Sequence, residues 1–486
     1  MKKDDLITVK IEDLSSDGLG VGHHDGMAFF IKDTVIGDVV EAKIMKLKKT
    51  YGYARLMRLL EPSPDRVEPP CPVARQCGGC QIQAMRYPAQ LRFKEAKVRS
   101  NLIRIGKFEN PPMELIIGME QPYRYRNKAQ FPIGRDRNGA LVAGFYAGRT
   151  HDIIACEDCL LGHEVNAQIL AIVLHHMEKY GISPYDEQTG AGLVRHVMTR
   201  VGFHTEQIMV CIVINGTALP HSRELAAALC EIPGMTSITL NVNRERTNVI
   251  MGREILPVWG QTWIEDKIRT DGWSSAGGAS DSDGSSVSDS LGGLSSLDGF
   301  VRFRISPLSF YQVNPVQMEK LYGKALEYAA LTGTEIVWDL YCGIGTISLF
   351  LARKAKQVYG VEIVPQAIHD AQENAALNGI TNAEFFVGKA EDILPAKYEA
   401  EGISADVIVV DPPRKGCEES VLATMIQMAP KRIVYVSCDS ATLARDLHYL
   451  CEHGYQLEKC CPTDMFGNSV HVETVCQIVR KREYNL

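Results

Sequence analysis

The chain is 486 residues long, 45% of its residues are hydrophobic and 23% are charged, and its formal net charge is −7. This length exceeds what one core supports, so two to four domains are expected, and the acidic balance argues against indiscriminate nucleic-acid binding. No apolar run reaches membrane-spanning length and the N-terminus lacks a signal-peptide core, so we expect a cytoplasmic protein that contacts no membrane. In the cytoplasm, the 14 cysteines are expected to be ligands, nucleophiles or buried thiols rather than disulfides.

Residues 1–61 alternate short strand-like runs with turns rich in Gly and Asp, which predicts a small OB-like β-barrel. From Lys43 to Arg58 the segment carries six basic residues and no acidic one, with Tyr51 and Tyr53 among them. Cations and aromatic rings suit an RNA strand, whose phosphates and bases they contact. A solvated face of the barrel produces the same pattern, so both interpretations stay open.

A cluster of cysteines marks residues 62–310, which are expected to form a central α+β domain. Cys71, Cys77 and Cys80 follow the spacing C-x5-C-x2-C, and Gly78 and Gly79 let the backbone wrap closely. Three thiolates need a fourth ligand to complete a tetrahedral or cluster site, and the downstream sequence ACEDC supplies two candidates. The pattern predicts a metal site, with zinc and a four-iron four-sulfur cluster as alternatives.

Two other segments of the central domain have a marked composition. Residues 86–107 predict a basic helix in which Glu95 is the single acidic residue, and YRYRNK follows at 123–128; both contact with RNA phosphates and an ordinary solvated face stay open. In residues 271–299, 22 of the 29 residues are Gly, Ser or Asp, which predicts a disordered insertion. Strand-like runs flank it, so we expect it to interrupt a β-hairpin.

Residues 311–486 predict an α/β domain with a Rossmann-like parallel sheet. A buried strand leads into a turn with Gly343 and Gly345, and a second strand ends at Glu362, where a carboxylate can hold ribose hydroxyls. A further strand ends at Asp411, which two prolines lift above the sheet edge. These residues trace one crevice at the carboxyl ends of parallel strands, where open α/β sheets bind ligands.

A cysteine stands at the end of the next predicted strand. The apolar run at residues 433–437 is followed at once by Cys438, and Asp439 is placed to cap the helix that comes after it. A helix N-terminus favours negative charge, so this position is expected to lower the pKa of the thiol. Cys438 is therefore a candidate nucleophile, with a buried structural cysteine as the alternative.

Several motifs together resemble those of a known family. SFYQVNP, LYCGIG, DPPRKG, YVSCDSATLARD and DMFGNSVHVETV are similar to motifs of the RNA uracil-5-methyltransferases. The barrel resembles a TRAM domain, an RNA-binding barrel often found on RNA-modifying enzymes. With this barrel and the cysteines, the chain resembles the bacterial branch that acts on 23S ribosomal RNA, over nearly its whole length apart from residues 271–299.

The resemblance implies a multidomain enzyme that uses S-adenosylmethionine to methylate carbon 5 of uracil in RNA, giving 5-methyluridine. The expected substrate is a single-stranded or loop uridine of 23S ribosomal RNA, and no DNA partner is expected. Matching the motifs residue by residue implies cofactor binding by Gln312, Tyr341, Glu362 and Asp411, nucleophilic attack by Cys438, proton removal by Glu473, and a four-iron four-sulfur cluster on Cys71, Cys77, Cys80 and Cys159, with Cys156 as the spare cysteine. Thr346 and Lys389 stand where some relatives have asparagines near the cofactor, so those two cofactor contacts stay open.

The implied chemistry explains why these residue types are needed. Addition of the Cys438 thiolate to carbon 6 of uracil activates carbon 5 toward the methyl group, and Glu473 then removes the proton from carbon 5. Without the resemblance, Glu473 would be interpreted as an exposed strand carboxylate. The alternatives are the same reaction on transfer RNA, an amino-group methyltransferase that needs neither residue, and a non-catalytic RNA-binding assembly factor.

Overall fold

The computed structural model describes residues 1–148, 150–270 and 299–481 of the chain. Three successive sheets and a two-stranded ribbon form its framework. The insertion predicted at residues 271–299 lies outside the described residues, except for Gly299.

Six strands form the N-terminal barrel: β1 (Leu6–Lys10), β2 (Asp13–Leu14), β3 (Gly20–His24), β4 (Met27–Ile31), β5 (Val39–Leu47) and β6 (Tyr51–Glu61). Their order is β1-β5-β6-β4-β3-β2. Burial alternates along the strands, so Ile7 and Val9 of β1 point into the same core as Val40 and Ile44 of β5. The predicted small barrel is confirmed.

The central domain contains three helices and a seven-stranded mixed sheet. Its elements are α1 (Tyr87–Arg104), β7 (Lys128–Arg135), β8 (Leu141–Tyr146), β9 (Ile153–Ala155), α2 (Val165–Lys179), β10 (Val194–Val201), β11 (Ile208–Ile214), α3 (Ser222–Leu229), β12 (Met235–Val242) and β13 (Glu254–Gly260). The strand order is β13-β12-β11-β10-β7-β8-β9, with β11 and β12 parallel. The apolar sides of α2 and α3 pack on one face of this sheet.

The two strands that flank the insertion form the predicted hairpin. β14 (Ile264–Arg269) pairs antiparallel with β15 (Phe300–Ile305). Ile268 and Phe303 of this ribbon are buried in a core shared with the C-terminal domain, so the ribbon joins the central sheet to that domain.

The C-terminal domain is built on a seven-stranded sheet. Its elements are α4 (Pro315–Ala329), β16 (Ile336–Leu340), α5 (Thr346–Ala352), β17 (Gln357–Glu362), α6 (Pro365–Leu377), β18 (Ala383–Val387), α7 (Ala390–Glu401), β19 (Val407–Val410), α8 (Glu419–Met428), β20 (Arg432–Ser437), α9 (Ser440–Glu452), β21 (Tyr455–Thr463) and β22 (Glu473–Arg480). The strand order is β18-β17-β16-β19-β20-β22-β21. The first five strands in this order are parallel, which confirms the predicted Rossmann-like sheet, and β22 runs antiparallel between β20 and β21.

None of the helices that the structure describes is long and apolar enough to cross a membrane.

Candidate active site

Four of the predicted site residues stand at the carboxyl ends of parallel strands. Tyr341 follows β16, Glu362 ends β17, Asp411 follows β19 and Cys438 follows β20. β16 and β19 are neighbours although the chain builds β17 and β18 between them, so the strand order reverses here. Open α/β sheets bind their ligands at such a reversal, so the topology gathers these side chains at one binding edge.

The antiparallel strand β22 brings Glu473 beside Cys438. Ser437 at the end of β20 pairs with Thr474 of β22, so the residue after Ser437 lies opposite the residue before Thr474. Glu473 is 4% exposed, so it is not the exposed strand carboxylate that the sequence alone suggests.

One cavity of about 1150 Å³ gathers all the residues predicted for catalysis and cofactor binding. Its wall includes Gln312, Tyr341, Glu362, Asp411, Cys438 and Glu473. The fold thus brings together side chains that are up to 161 residues apart in the chain, from Gln312 to Glu473. Their individual roles stay predictions.

The turn after β16 is shaped to admit a ligand. Gly343 has a φ of 55°, and a Cβ at this position would meet no atom within 4 Å, so the turn faces open space. Tyr341 also has a positive φ, 68°, a conformation that is uncommon outside glycine and concentrates at ligand sites. Lys389 lines the cavity, whereas the hydroxyl of Thr346 lies 3.2 Å from that of Tyr322.

The pKa of Cys438 is raised, and the expectation of a lowered pKa is wrong. Burial raises it to about 11, the nearby Glu473 and Asp411 raise it too, and Arg414 opposes them. The N-terminus of α9 is capped by Asp439, whose carboxylate accepts two backbone N–H groups at 2.9 and 3.0 Å. The carboxylate of Asp439 therefore already occupies the helix N-terminus that was expected to stabilise a thiolate. Without ligands, the thiol of Cys438 is protonated at neutral pH.

Both carboxyl groups beside the thiol also have raised pKa values. Burial raises the pKa of Glu473 to about 8, Asp411 adds to the increase, and Arg414 opposes it. Burial raises the pKa of Asp411 to about 7. A carboxylate whose pKa is near the working pH is suited to accept a proton during a reaction.

Among the other cavity residues, four had no predicted role in the site: Arg126, Phe310, Arg414 and His471. Phe310, Arg414 and His471 lie inside motifs already noted, so their motifs were the available signal, and Arg126 lies in the basic segment YRYRNK. Phe310 is 69% exposed although it is a large aromatic residue, which only the structure reveals. A second cavity of about 800 Å³, between the barrel, α1 and α9, shares Arg414, Cys438 and His471 with the first.

The tyrosines predicted to contact RNA form an aromatic cluster on the barrel. Phe30 lies 5.6 Å from both Tyr51 and Tyr53, and the two tyrosines are 5.7 Å apart, measured between ring centroids. Tyr53 is partly exposed. Exposed rings among basic residues can stack with the bases of a single strand.

The cysteines considered as metal ligands, Cys71, Cys77, Cys80, Cys156 and Cys159, lie in loops near one another. Burial raises the pKa of Cys80 to about 12, and the nearby Cys159, Cys77 and Cys71 raise it too. Burial also raises the pKa of Cys156 to about 12, with Cys159 as the next contribution. In the part of the chain that the structure describes, no group of three or more His, Cys, Asp or Glu side chains is arranged to hold a metal ion. The predicted iron–sulfur cluster thus has no support in this geometry.

Comparisons of the sequence with known families and proteins all find RNA-modifying enzymes or their domains. The sequence model of the tRNA (uracil-5-)-methyltransferases matches residues 294–481, and that of the TRAM domain matches residues 5–57. An RNA methyltransferase of Halalkalibacterium halodurans, named as uncharacterized, is 48% identical over 99% of this chain and 98% of its own length. A similarly named protein of Clostridium tetani is 45% identical over 98% of this chain and 96% of its own length.

Among solved structures, the chain is similar to the tRNA (uracil-54, C5)-methyltransferase of Pyrococcus abyssi in complex with S-adenosyl-L-homocysteine. The TM-score is 0.73 and the sequence identity is 25%, over 97% of this chain and 100% of that chain. This likeness extends across the barrel, the central domain and the C-terminal sheet.

The chain aligns with these relatives over nearly its whole length, so the protein is an RNA methyltransferase. Because the part that carries the strand-end cavity matches the uracil-specific model, the chain belongs to the RNA (uracil-5-)-methyltransferase family. The resemblance to the RNA uracil-5-methyltransferases is confirmed, as are the TRAM barrel and the methyltransferase fold. The branch that acts on 23S ribosomal RNA stays a prediction.

Proposed function

We propose that this enzyme methylates carbon 5 of a uridine in RNA through a covalent intermediate on Cys438, with S-adenosylmethionine as the methyl donor. The observation that carries the proposal is the placement of Cys438 beside Glu473 in the wall of one cavity. Neither residue is needed for methylation of an amino group, whereas both are needed for carbon 5 of uracil, which is a weak nucleophile.

The cavity fits the proposed cofactor. The Gly343 turn faces open space, and Glu362 stands at the end of β17, where a carboxylate can accept hydrogen bonds from ribose hydroxyls. Tyr341, Gln312 and Asp411 complete the set of residues that would hold the cofactor. When bound, the cofactor supplies a methyl group activated by a sulfonium.

Cys438 and Glu473 divide the chemistry between them. The Cys438 sulfur adds to carbon 6, and the electron pair of the 5,6 double bond moves to the carbonyl at carbon 4. Carbon 5 would then take the methyl group, and the carbon–sulfur bond of the sulfonium would break to leave a neutral thioether. Glu473 accepts the proton from carbon 5, the double bond forms again, and the carbon–sulfur bond breaks to release the thiolate.

The raised pKa values affect how the reacting form of the site arises. Cys438 must lose its proton to solvent before it adds to uracil. Glu473, whose pKa is about 8, must also be ionised when carbon 5 loses its proton, so at neutral pH the reacting form is a minor fraction of the free site. Arg414 favours the thiolate.

For the substrate we propose 23S ribosomal RNA, on the resemblance of the motifs, barrel and cysteines to that branch of the family. The target uridine must leave its stack to reach the cavity, which a loop or single strand permits at least cost. Transfer RNA is the second candidate, favoured by the likeness to the Pyrococcus abyssi enzyme.

The experiment that tests this function compares RNA from cells with and without the protein. Ribosomal and transfer RNA are sequenced for 5-methyluridine, and the purified enzyme is then supplied with the unmodified RNA and cofactor. We expect a uridine in 23S ribosomal RNA to lose its methyl group in the deletion strain and regain it in vitro. Loss confined to transfer RNA would select the second candidate. An unchanged 5-methyluridine pattern, with RNA binding but no turnover, would indicate an assembly factor.

The four-iron four-sulfur cluster on Cys71, Cys77, Cys80 and Cys159 is a separate proposal. In its favour, the thiols are close enough to affect one another's ionisation. Against it, the described side chains do not converge in ligand geometry. No step of the reaction above uses it.

A further inference from the structure

Five polar residues of α1 recur at the spacing of one helix face: Tyr87, Gln90, Lys94, Lys97 and Asn101. Residues three and four positions apart are neighbours on a helix surface, so these side chains form one stripe. All five make hydrogen bonds to the C-terminal domain. We call this stripe the polar face of α1.

Most of the polar face binds the loop at residues 464–472, which joins β21 to β22 and leads directly into Glu473. Gln90 donates to the side chain of Asn468 at 3.1 Å and accepts its backbone N–H at 2.9 Å. Lys97 donates to the carbonyl of Val470 at 3.0 Å. The loop that leads to the predicted base is therefore held along its length by one helix.

A buried ion pair is the strongest of these contacts. The ammonium of Lys94 lies 2.5 Å from the carboxylate of Asp464, and both side chains are 0% exposed. Lys94 also donates to the carbonyl of Phe466 at 3.0 Å, and Tyr87 donates to Asp464 at 3.0 Å. The prediction that cations of this helix contact RNA phosphates is therefore wrong for Lys94. Removing one partner would leave the other charge buried and unpaired.

The C-terminal end of the polar face contacts the segment that follows the nucleophile. Asn101 donates to the hydroxyl of Ser440 at 2.8 Å, two residues after Cys438. One rigid helix thus contacts both segments that carry the reacting groups.

We infer that the polar face of α1 sets the position of Glu473 relative to Cys438, with Lys94 and Asn101 as positioning residues for the two ends of the reaction. Lys94 acts through the 464–472 loop on the base, and Asn101 acts through Ser440 on the thiol. The inference rests on the proposed covalent route. It predicts that Lys94 affects proton removal by Glu473 and that Asn101 affects attack by Cys438.

The test separates the two steps in single-turnover reactions with methyl-labelled cofactor and excess enzyme. Formation of the labelled RNA–protein adduct reports attack by Cys438 and methyl transfer, and its decay reports proton removal by Glu473. We expect Lys94→Met to slow adduct decay at least tenfold while adduct formation changes less than threefold. For Asn101→Ala we expect adduct formation to slow at least tenfold, while adduct decay changes less than threefold.

The matched control is Arg66→Met, which breaks an ion pair to another buried carboxylate; the Arg66 side chain bonds Asp33 and Asp38 instead of the 464–472 loop. Arg66 donates to Asp38 at 3.0 Å, and the Asp38 side chain is 0% exposed. This variant should lower the melting temperature and slow both steps equally. If Lys94→Met also slows both steps equally, in proportion to its loss of melting temperature, its role is only structural and the inference is wrong.

Gln90→Ala keeps the test decisive if Lys94→Met does not fold. It removes the two hydrogen bonds to Asn468 and one to the carbonyl of Met85, and it must show the same split to a smaller degree. Equal effects on both steps would overturn the inference. The proposed function is judged separately, because it fails if Glu473→Gln forms no adduct at all, whatever the variants of α1 do.

Discussion

The catalytic cavity and the cysteine site of the central domain are built in different ways. In the cavity, Asp411 and Cys438 stand at strand ends and Glu473 begins a paired strand, so the backbone ladder places these groups at one edge before any ligand arrives, and α1 holds the segments next to Cys438 and Glu473. The cysteines proposed as cluster ligands lie in loops, where Cys77 makes a single bridge to Ala147 and no continuous ladder among the described residues joins it to Cys159. A sheet edge can preorganise a site, whereas a site made of loops depends on its ligand to bring the groups together.

The largest effect is expected at the nucleophile. Cys438→Ala should lower methyl transfer at least about 10⁴-fold, because no other group in the proposed route can form the bond to carbon 6. Incorporation of labelled methyl groups into unmodified RNA measures this. Cys451→Ala, at a half-buried cysteine of α9 outside the cavity wall, is the matched control and should stay within about twofold of the wild type. Comparable activity of Cys438→Ala and wild type would remove the covalent route.

The cysteine site gives the second test of the comparison. If the loops close around an iron–sulfur cluster, protein purified without oxygen should contain about four irons per chain. Cys159→Ser should lose this iron, whereas Cys156→Ser should keep it.

Stoichiometric zinc without iron would show that the cluster is wrongly identified. Iron lost by Cys156→Ser and kept by Cys159→Ser would show that the fourth ligand is wrongly assigned.

The pH dependence of activity follows from the crowded carboxyl groups. Glu473 must be deprotonated to act as a base, and its pKa is raised to about 8 by burial. Cys438 also ionises more as the pH rises toward its pKa of about 11. Ionisation of Glu473 alone should raise kcat/KM roughly 25-fold between pH 6.5 and 8.5, and ionisation of Cys438 should raise it further, by up to about 100-fold. A flat profile over this range would mean that neither group limits the reaction.

The smallest effect concerns stability. The pKa of Glu473 rises from an ordinary value of 4.5 to about 8 on folding, so the folded protein keeps a proton that the unfolded chain releases. The contribution of Glu473 to stability is therefore most favourable below pH 4.5 and is lost as the pH rises toward 8. Glu473→Gln removes this cost and should raise the free energy of unfolding at pH 7 by about 1–3 kcal/mol.

Urea denaturation of both proteins at pH 7 and pH 5 measures the effect. The gain should shrink at the lower pH; an equal or larger gain there would contradict the raised pKa.

The same contrast explains what the sequence could predict. The strands before Tyr341, Asp411 and Cys438 were found because a parallel strand is a continuous apolar run with a polar residue at its end. The position of Glu473 depended on which strand pairs with β20, a long-range choice that no local pattern encodes. The raised pKa of Cys438 was missed for the same reason, since Glu473 and Asp411 approach it only through the fold.

The helix α1 shows the limit of reading charge from sequence. Its basic composition suggested a surface for RNA, yet Lys94 is fully buried against Asp464, a partner 370 residues away. The spacing of its polar residues was visible in the sequence, but their partners were not.

The central claim is tested most directly by the fate of the RNA in the Glu473→Gln variant. Glutamine keeps the shape of the side chain but cannot accept the carbon 5 proton, so methyl transfer should proceed and the adduct should accumulate. The variant should therefore give a protein–RNA band that resists denaturation and carries the methyl label, and Cys438→Ala combined with Glu473→Gln should abolish it. Turnover of Glu473→Gln at the wild-type rate, or normal binding of RNA and cofactor without any labelled band, would contradict the account.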